Sequence, residues 1–239
     1  FSTGDIVVKT TDITLIEGQT IEDYAKELAK KLSFTEEEFL QKMKDEDYLK
    51  TLIQEYWFLE DTILNSAIYY PLEGYFYPNT YQVMQNASIE DVVTTLLNQM
   101  EIELDSLKED IVQSGQSVHQ VLTMASMVEK EANTAEDRKM AAQVFYKRIS
   151  LNMPLGSDVT SYYGAHKKMS EVLTTKELYD QNPYNTRLTD GSMNGKLPIG
   201  PIANSSLNAI EAAIHPEETN YLYFVANTCT GQVFFQEDY

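Results

Sequence analysis

Three charged side chains, Glu129, Lys130 and Glu131, stand together near the end of a largely uncharged stretch, SVHQVLTMASMVEKEAN at residues 117–133. Ser117 and Gln120 have capping-box spacing, and Val118, Val121, Leu122, Ala125, Val128 and Ala132 recur at helical spacing. That pattern predicts a helix with one apolar stripe. At about 100° per residue, Glu129 falls roughly 20° round from Val118, on the shoulder of the stripe. Lys130 and Glu131 project well away from its centre. Burial disfavours the charged form of a carboxyl, and a proton retained near neutral pH is what a general acid requires. Glu129 is therefore the expected catalytic acid; the structural alternative is a partly buried Glu paired with a basic group.

Other familiar chemistries lack their residues. His119, His166 and His215 lie far apart, no HExxH or Cys–His spacing occurs, and no metal is expected. There is no Gly-rich phosphate loop, no GxSxG and no ordered Ser-His-Asp set. Acids, amides and tyrosines remain, the groups from which carbohydrate sites are built. Sixteen tyrosines in 239 residues supply rings that suit sugar faces as well as cores.

The chain that must position these groups has 43% hydrophobic residues, enough for a substantial core. Its net charge of −19 argues against nucleic acid and against anionic lipid as partners. The single cysteine, Cys229, excludes an internal disulfide and leaves the redox compartment open. No run approaches the roughly 18 apolar residues of a membrane span, and no signal-peptide pattern is present. A start at Phe1 fits a fragment or a mature form.

In chain order, short β-prone runs at Ile6–Val8 and Ile13–Ile16 precede a turn at Gly18. Thr20 with Asp23 then caps a helix carrying Ile21, Tyr24, Ala25, Leu28 and Leu32, and Thr35 opens another with Phe39, Leu40 and Met43. This unit resembles a LysM-like module, a small fold that binds N-acetylglucosamine polymers; a generic packing module is the alternative. Tyr48–Tyr70, aromatic and holding Trp57, reads as a connector. Helices follow from Ser88, Ser117, Thr134 and Ser205, and Pro154 to Asn204 reads as a long irregular stretch of the kind that is usually functional. YLYFVA and Val233–Phe235 read as a hairpin around Asn227–Gly231. The expected organisation is α+β: residues 1–66 a LysM-like module and connector, residues 67–239 a mixed α/β catalytic domain with a mixed sheet and a central Glu-bearing helix.

Four stretches, PLEGYFYPNTY (71–81), LTMASMVEKEA (122–132), AAQVFYKRISLNMPLGSDVTSYYG (141–164) and NPYNTR with KLPIGPIAN (182–187 and 196–204), followed by YLYFVA, resemble the YceG-like family of endolytic murein transglycosylases in residues and in order. The resemblance implies cleavage of the bond from N-acetylmuramic acid to N-acetylglucosamine within peptidoglycan, without a cofactor. Carried onto ASMVEKE, it puts the catalytic acid on the first Glu, Glu129. A single carboxyl suffices for such chemistry, because the sugar's own 6-hydroxyl replaces water and closes a 1,6-anhydro ring.

Around Glu129 the expected substrate-binding residues are Glu73, Ser157, Asp158, Tyr184, Asn185 and Thr186. Each has a structural alternative: Glu73 as a strand anchor, Asp158 as a helix cap, and residues 184–186 as turn chemistry after Pro183. The LPIGP stretch reads as a rigid wall. The chain departs from the family at Val159 and Ile199, where proline is common, and at Gln232, where a His is usual. The resemblance further implies a membrane anchor absent from this chain, a location at the outer face of the cytoplasmic membrane, and cell-wall synthases and elongation or division proteins as partners. Two rival readings are a non-catalytic glycan-binding scaffold and, from an older label of the family, a pyridoxal-phosphate lyase. Nothing marks a Schiff-base lysine for the latter.

Overall fold

The computed structural model describes residues 9–226 and 230–238. The expected strand at Ile6–Val8, Cys229 and most of the expected hairpin turn lie outside that range. β1 (Thr10–Thr14) leads into α1 (Ile21–Ala29), whose Thr20–Asp23 capping box forms as the spacing requires. Ile21, Tyr24, Ala25 and Leu28 form its buried face. α2 (Glu36–Lys42) follows with a Thr35–Glu38 box. The connector expected at Tyr48–Tyr70 begins instead as α3 (Glu46–Glu55), capped by Asp45, with Leu49 and Leu52 buried. Its aromatic content hid a short helix whose apolar positions are only three apart.

β2 (Thr80–Met84) then returns to pair antiparallel with β1, Ile13 opposite Tyr81 and Thr11 opposite Val83. Ile13, Tyr81 and Val83 face inward, as strand alternation dictates. α4 (Ile89–Asp105) and α5 (Lys108–Ser114) come next, the latter ended by Gly115 in a left-handed conformation.

α6 (Val118–Glu131) has the expected Ser117–Gln120 box but is buried far beyond one stripe: every residue from Val118 to Val128 except Gln120 is buried. It packs against α7 (Ala135–Ser150) and, further on, α10 (Leu207–Ile214). The stretch expected to be irregular holds two short helices, α8 (Asp158–Gly164) and α9 (Thr175–Leu178). β3 (Tyr223–Ala226) and β4 (Val233–Gln236) form the expected closing hairpin pair.

The α+β class stands, but the mixed sheet does not. The described residues contain two separate two-stranded antiparallel ribbons, and the space a larger sheet would fill is taken by α6, α7 and α10. The β1–β2 ladder and one continuous core both cross residue 66. Gly74 marks a close approach near that crossing: its φ is +83°, and a Cβ there would lie 2.4 Å from the Pro201 Cβ. The LPIGP segment is thus a wall against the LEGY turn. No helix among the described residues is long and apolar enough to cross a membrane.

Candidate active site

The last turn of α6 sends its two acids to different places, because side chains two residues apart on a helix leave it about 200° apart. Glu129 turns inward. Its Oε1 accepts from Arg138 Nη2 at 2.7 Å, and its Oε2 accepts from the Ser206 N–H at 2.9 Å and the Ser206 hydroxyl at 2.6 Å. Ser206 is the N-cap residue of α10, so Glu129 supplies the acceptor and the negative charge that this helix start lacks. Arg138 also donates to the Ala132 carbonyl and to the Ser206 hydroxyl. The Glu129 side chain is 4% exposed and lines neither groove arm. The burial expected of Glu129 is present, together with the ion pair that was its structural alternative.

Glu131 turns outward, into a recess of about 670 Å³. Its Oε1 accepts from the Ser157 hydroxyl at 2.6 Å. Burial raises its pKa above the ordinary carboxylate value, and the Ser157 hydrogen bond opposes that rise. A second recess of about 460 Å³, walled by Tyr69, Tyr70, Glu73, Tyr163 and His166, meets the first at Lys130, Val159 and Met169. The two arms make one groove, each arm of a size suited to a small ligand.

The loop that brings Ser157 to Glu131 is held from behind. Arg148, on α7, donates from Nε to the Leu222 carbonyl at 2.7 Å and from Nη1 to the Leu155 carbonyl at 2.9 Å. Gly156, at φ +67°, turns the chain and donates to the Thr186 carbonyl at 3.0 Å. The Ser157 N–H donates to Thr186 Oγ1 at 3.1 Å, and Thr160 shares a hydroxyl contact with the same oxygen at 2.8 Å.

Of the six expected substrate-binding residues, the groove receives three. Ser157 and Asp158 line the Glu131 arm, Asp158 at its exposed rim in an ion pair with Arg187. Glu73 lines the other arm. Tyr184, Asn185 and Thr186 are fully buried and line neither arm. The Tyr184 ring packs 4.8 Å from Tyr69 and 4.9 Å from Tyr163. Asn185 accepts from the Ser161 hydroxyl at 2.8 Å and donates to the Leu178 and Asp180 carbonyls, each at 3.0 Å. All hydrogen-bonding capacity of that amide is directed into the turn, which leaves none for a sugar.

Glu73 serves as anchor and as groove wall together. It accepts from the Ile21 N–H at 3.0 and 3.2 Å and from the Tyr163 hydroxyl at 3.0 Å, tying the start of α1 to α8. Burial dominates and pushes its pKa up to about 8, against the lowering effect of the Tyr163 and Ile21 donors. The folded protein then holds a proton between about pH 4.5 and 8 that the unfolded chain has lost. Stability from this group is full below the unfolded pKa and is lost as pH rises through that window, at no more than about 1.4 kcal/mol per pH unit. Denaturation midpoints measured from pH 4 to 9 are expected to show the decline, and Glu73→Gln to flatten it. An unchanged slope in the variant counts against the protonated carboxyl.

Sequence reasoning did not single out Arg138, Arg148 or Ser206, and it gave Glu131 no role. The available signal was the Glu-x-Glu spacing at a helix end, which guarantees that two acids face different surroundings.

The chain matches the model of the YceG-like family over residues 2–239. It is 36% identical over 228 residues to an endolytic murein transglycosylase of Bacillus subtilis, covering 93% of this chain and 61% of that protein. It is 33% identical over 241 residues to an endolytic murein transglycosylase of Streptococcus pneumoniae, covering 95% of this chain and 43% of that protein. The chain thus spans less than two thirds of these relatives. A crystal structure of a yceG-like protein of Listeria monocytogenes superposes with a TM-score of 0.87 at 35% identity, covering 95% of this chain and 73% of that one. With the family's motifs lying along one groove, and with sequence and fold matched over nearly the whole length, this chain belongs to the YceG-like family.

Proposed function

We propose that this chain is an endolytic lytic transglycosylase of peptidoglycan, with Glu131 as the single acid and base. The observation that carries the reading is the Glu131 carboxyl: it lines the groove, burial favours its protonated form, and the Ser157 hydroxyl donates to its Oε1. The names of the relatives at 33–36% identity support the substrate. Protonated Glu131 donates to the glycosidic oxygen, and the bond from that oxygen to C1 of N-acetylmuramic acid breaks. The 6-hydroxyl of the same sugar attacks C1 and surrenders its proton to the Glu131 carboxylate. One C–O bond replaces another within the strand, no water is consumed, and the carboxyl is regenerated. Holding the 6-hydroxyl within the same ring supplies the effective concentration that a bound water would otherwise provide. Mass spectrometry of products from purified peptidoglycan tests this directly: 1,6-anhydro ends are expected, one water lighter than hydrolysed ends. Hydrolysed ends, or strands of unchanged length, count against it; the latter is what the scaffold reading expects.

Ser157 keeps the Glu131 carboxyl aimed and partly offsets its desolvation. Ser157→Ala is expected to slow product release by up to about tenfold. Because the lost hydrogen bond favours the charged carboxyl, the pH at which activity falls through ionisation of Glu131 moves upward. A pH–rate profile of wild type and variant measures both effects, and a downward shift sinks the assignment.

The LysM-like reading belongs to β1, α1, α2 and β2, two antiparallel strands flanking two capped helices. The second strand of that unit comes from residues 80–84. Glycan strands are the proposed partner of both parts, at the outer face of the cytoplasmic membrane.

A further inference from the structure

Three of the large apolar side chains that the fold leaves exposed, Met169 at 52%, Val225 at 65% and Phe234 at 47%, line the same groove arm as Glu131. Scattered exposed hydrophobics need no explanation, but a cluster beside a candidate acid does. The hairpin register explains how two of them arise. Val225 and Phe234 are directly paired across β3 and β4, so they share one face with the next matched pair, Tyr223 and Gln236. All four residues of that face line the groove arm, beside Phe224 and Ala226 of the other. The opposite face packs onto the body of the protein, with Phe224 5.8 Å from Phe235 and 5.5 Å from Phe145.

We infer that the Val225–Phe234 pair is a specificity-determining platform for a pyranose ring next to the scissile bond, an inference that rests on the transglycosylase reading above. A pyranose presents an apolar C–H face and a rim of hydroxyl and N-acetyl groups. The arm offers the matching halves: an aromatic ring and a branched aliphatic side chain on the hairpin, with the Gln236 amide and Asp158 at the edge. The platform is fixed by β pairing and lies across the groove arm that Glu131 enters, so it holds the sugar without ordering a loop. It touches the ring and not the bond being broken, so it binds ground state and transition state alike and acts on KM more than on kcat.

The test uses the full chain, purified peptidoglycan for kinetics, and an N-acetylglucosamine oligomer for binding by titration calorimetry. Phe234→Ala is expected to raise KM and weaken oligomer binding by about five- to tenfold with kcat little changed, and Phe234→Tyr to restore both. Phe234→Thr, which keeps strand propensity, repeats the loss if alanine disturbs the hairpin. Wild-type cleavage with unchanged KM and affinity in both truncations overturns the platform and leaves the transglycosylase reading standing. Weakened oligomer binding by the variants of a wild type that releases no anhydro ends keeps the platform and removes the reading. A wild type that neither binds nor cleaves removes both.

Discussion

Replacing Glu131 with Gln is expected to cut the release of anhydro-ended fragments from purified peptidoglycan by about 10²- to 10⁴-fold, the usual contribution of a general acid and base. The substitution is nearly isosteric, and the amide oxygen still accepts the Ser157 hydroxyl that Glu131 Oε1 accepts at 2.6 Å. What disappears is the proton the leaving oxygen must take and the basic oxygen that must remove the 6-hydroxyl proton. Both losses fall on kcat, and binding of the strand should be nearly unchanged. Because Glu131 sits at the last residue of α6 with its carboxyl in the groove, no core contact depends on its charge. Product chromatography with mass detection, together with a thermal melt, reads both sides of the expectation. A variant that keeps a tenth or more of wild-type activity removes Glu131 from the acid's role.

The other acid of the motif should fail in a different way. Glu129→Ala is expected to lower stability by about 3–5 kcal/mol, the cost of leaving one member of a buried ion pair alone. Arg138 would keep its charge, at 13% side-chain exposure, without the carboxylate that now lies 2.7 Å away. The start of α10 would lose its acceptor for the Ser206 N–H and hydroxyl. Glu129→Gln should cost less, since an amide oxygen can still cap α10 while only the Coulombic part is lost. In a double-mutant cycle, Arg138→Ala and Glu129→Ala should be strongly non-additive, because each alone strands the other. Chemical denaturation provides the numbers. If Glu129→Gln instead abolished activity with full stability and Glu131→Gln did not, the roles given to the two acids would be exchanged.

The contrast between them has a structural consequence. Glu129 pins α10 and α7 to the end of α6, and that end carries Glu131. Some activity loss in Glu129 variants is therefore expected through misplacement of the neighbouring carboxyl. It should track stability across the series, whereas the Glu131→Gln loss should not.

What local chemistry dictates was legible in the chain alone. The capping boxes at Thr20, Thr35, Ser88 and Ser117 form as their spacing requires, because each depends only on residues three apart. The apolar stripe of α6, the closing hairpin and the family follow from the same local order. α3 was hidden because its cap, Asp45, precedes a run whose aromatic residues suggested a connector.

The proposed choice between the two acids rests on surroundings that are not local. A helical projection knows only the helix's own axis, and it correctly separated Glu129 from Glu131 without saying what lay on either side. The inward side is closed by Arg138 and Ser206, and the outward side is roofed by the loop from Leu155 to Asp158, which Arg148 and Thr186 hold in place. Those partners arrive from later parts of the chain. Desolvation and hydrogen bonding, which decide whether a carboxyl is a fixed ion or a proton donor, are properties of surroundings that only tertiary packing assembles. The same holds for Tyr184, Asn185 and Thr186: their residue types suit a sugar, but the fold buries them and gives their side-chain polar groups protein partners.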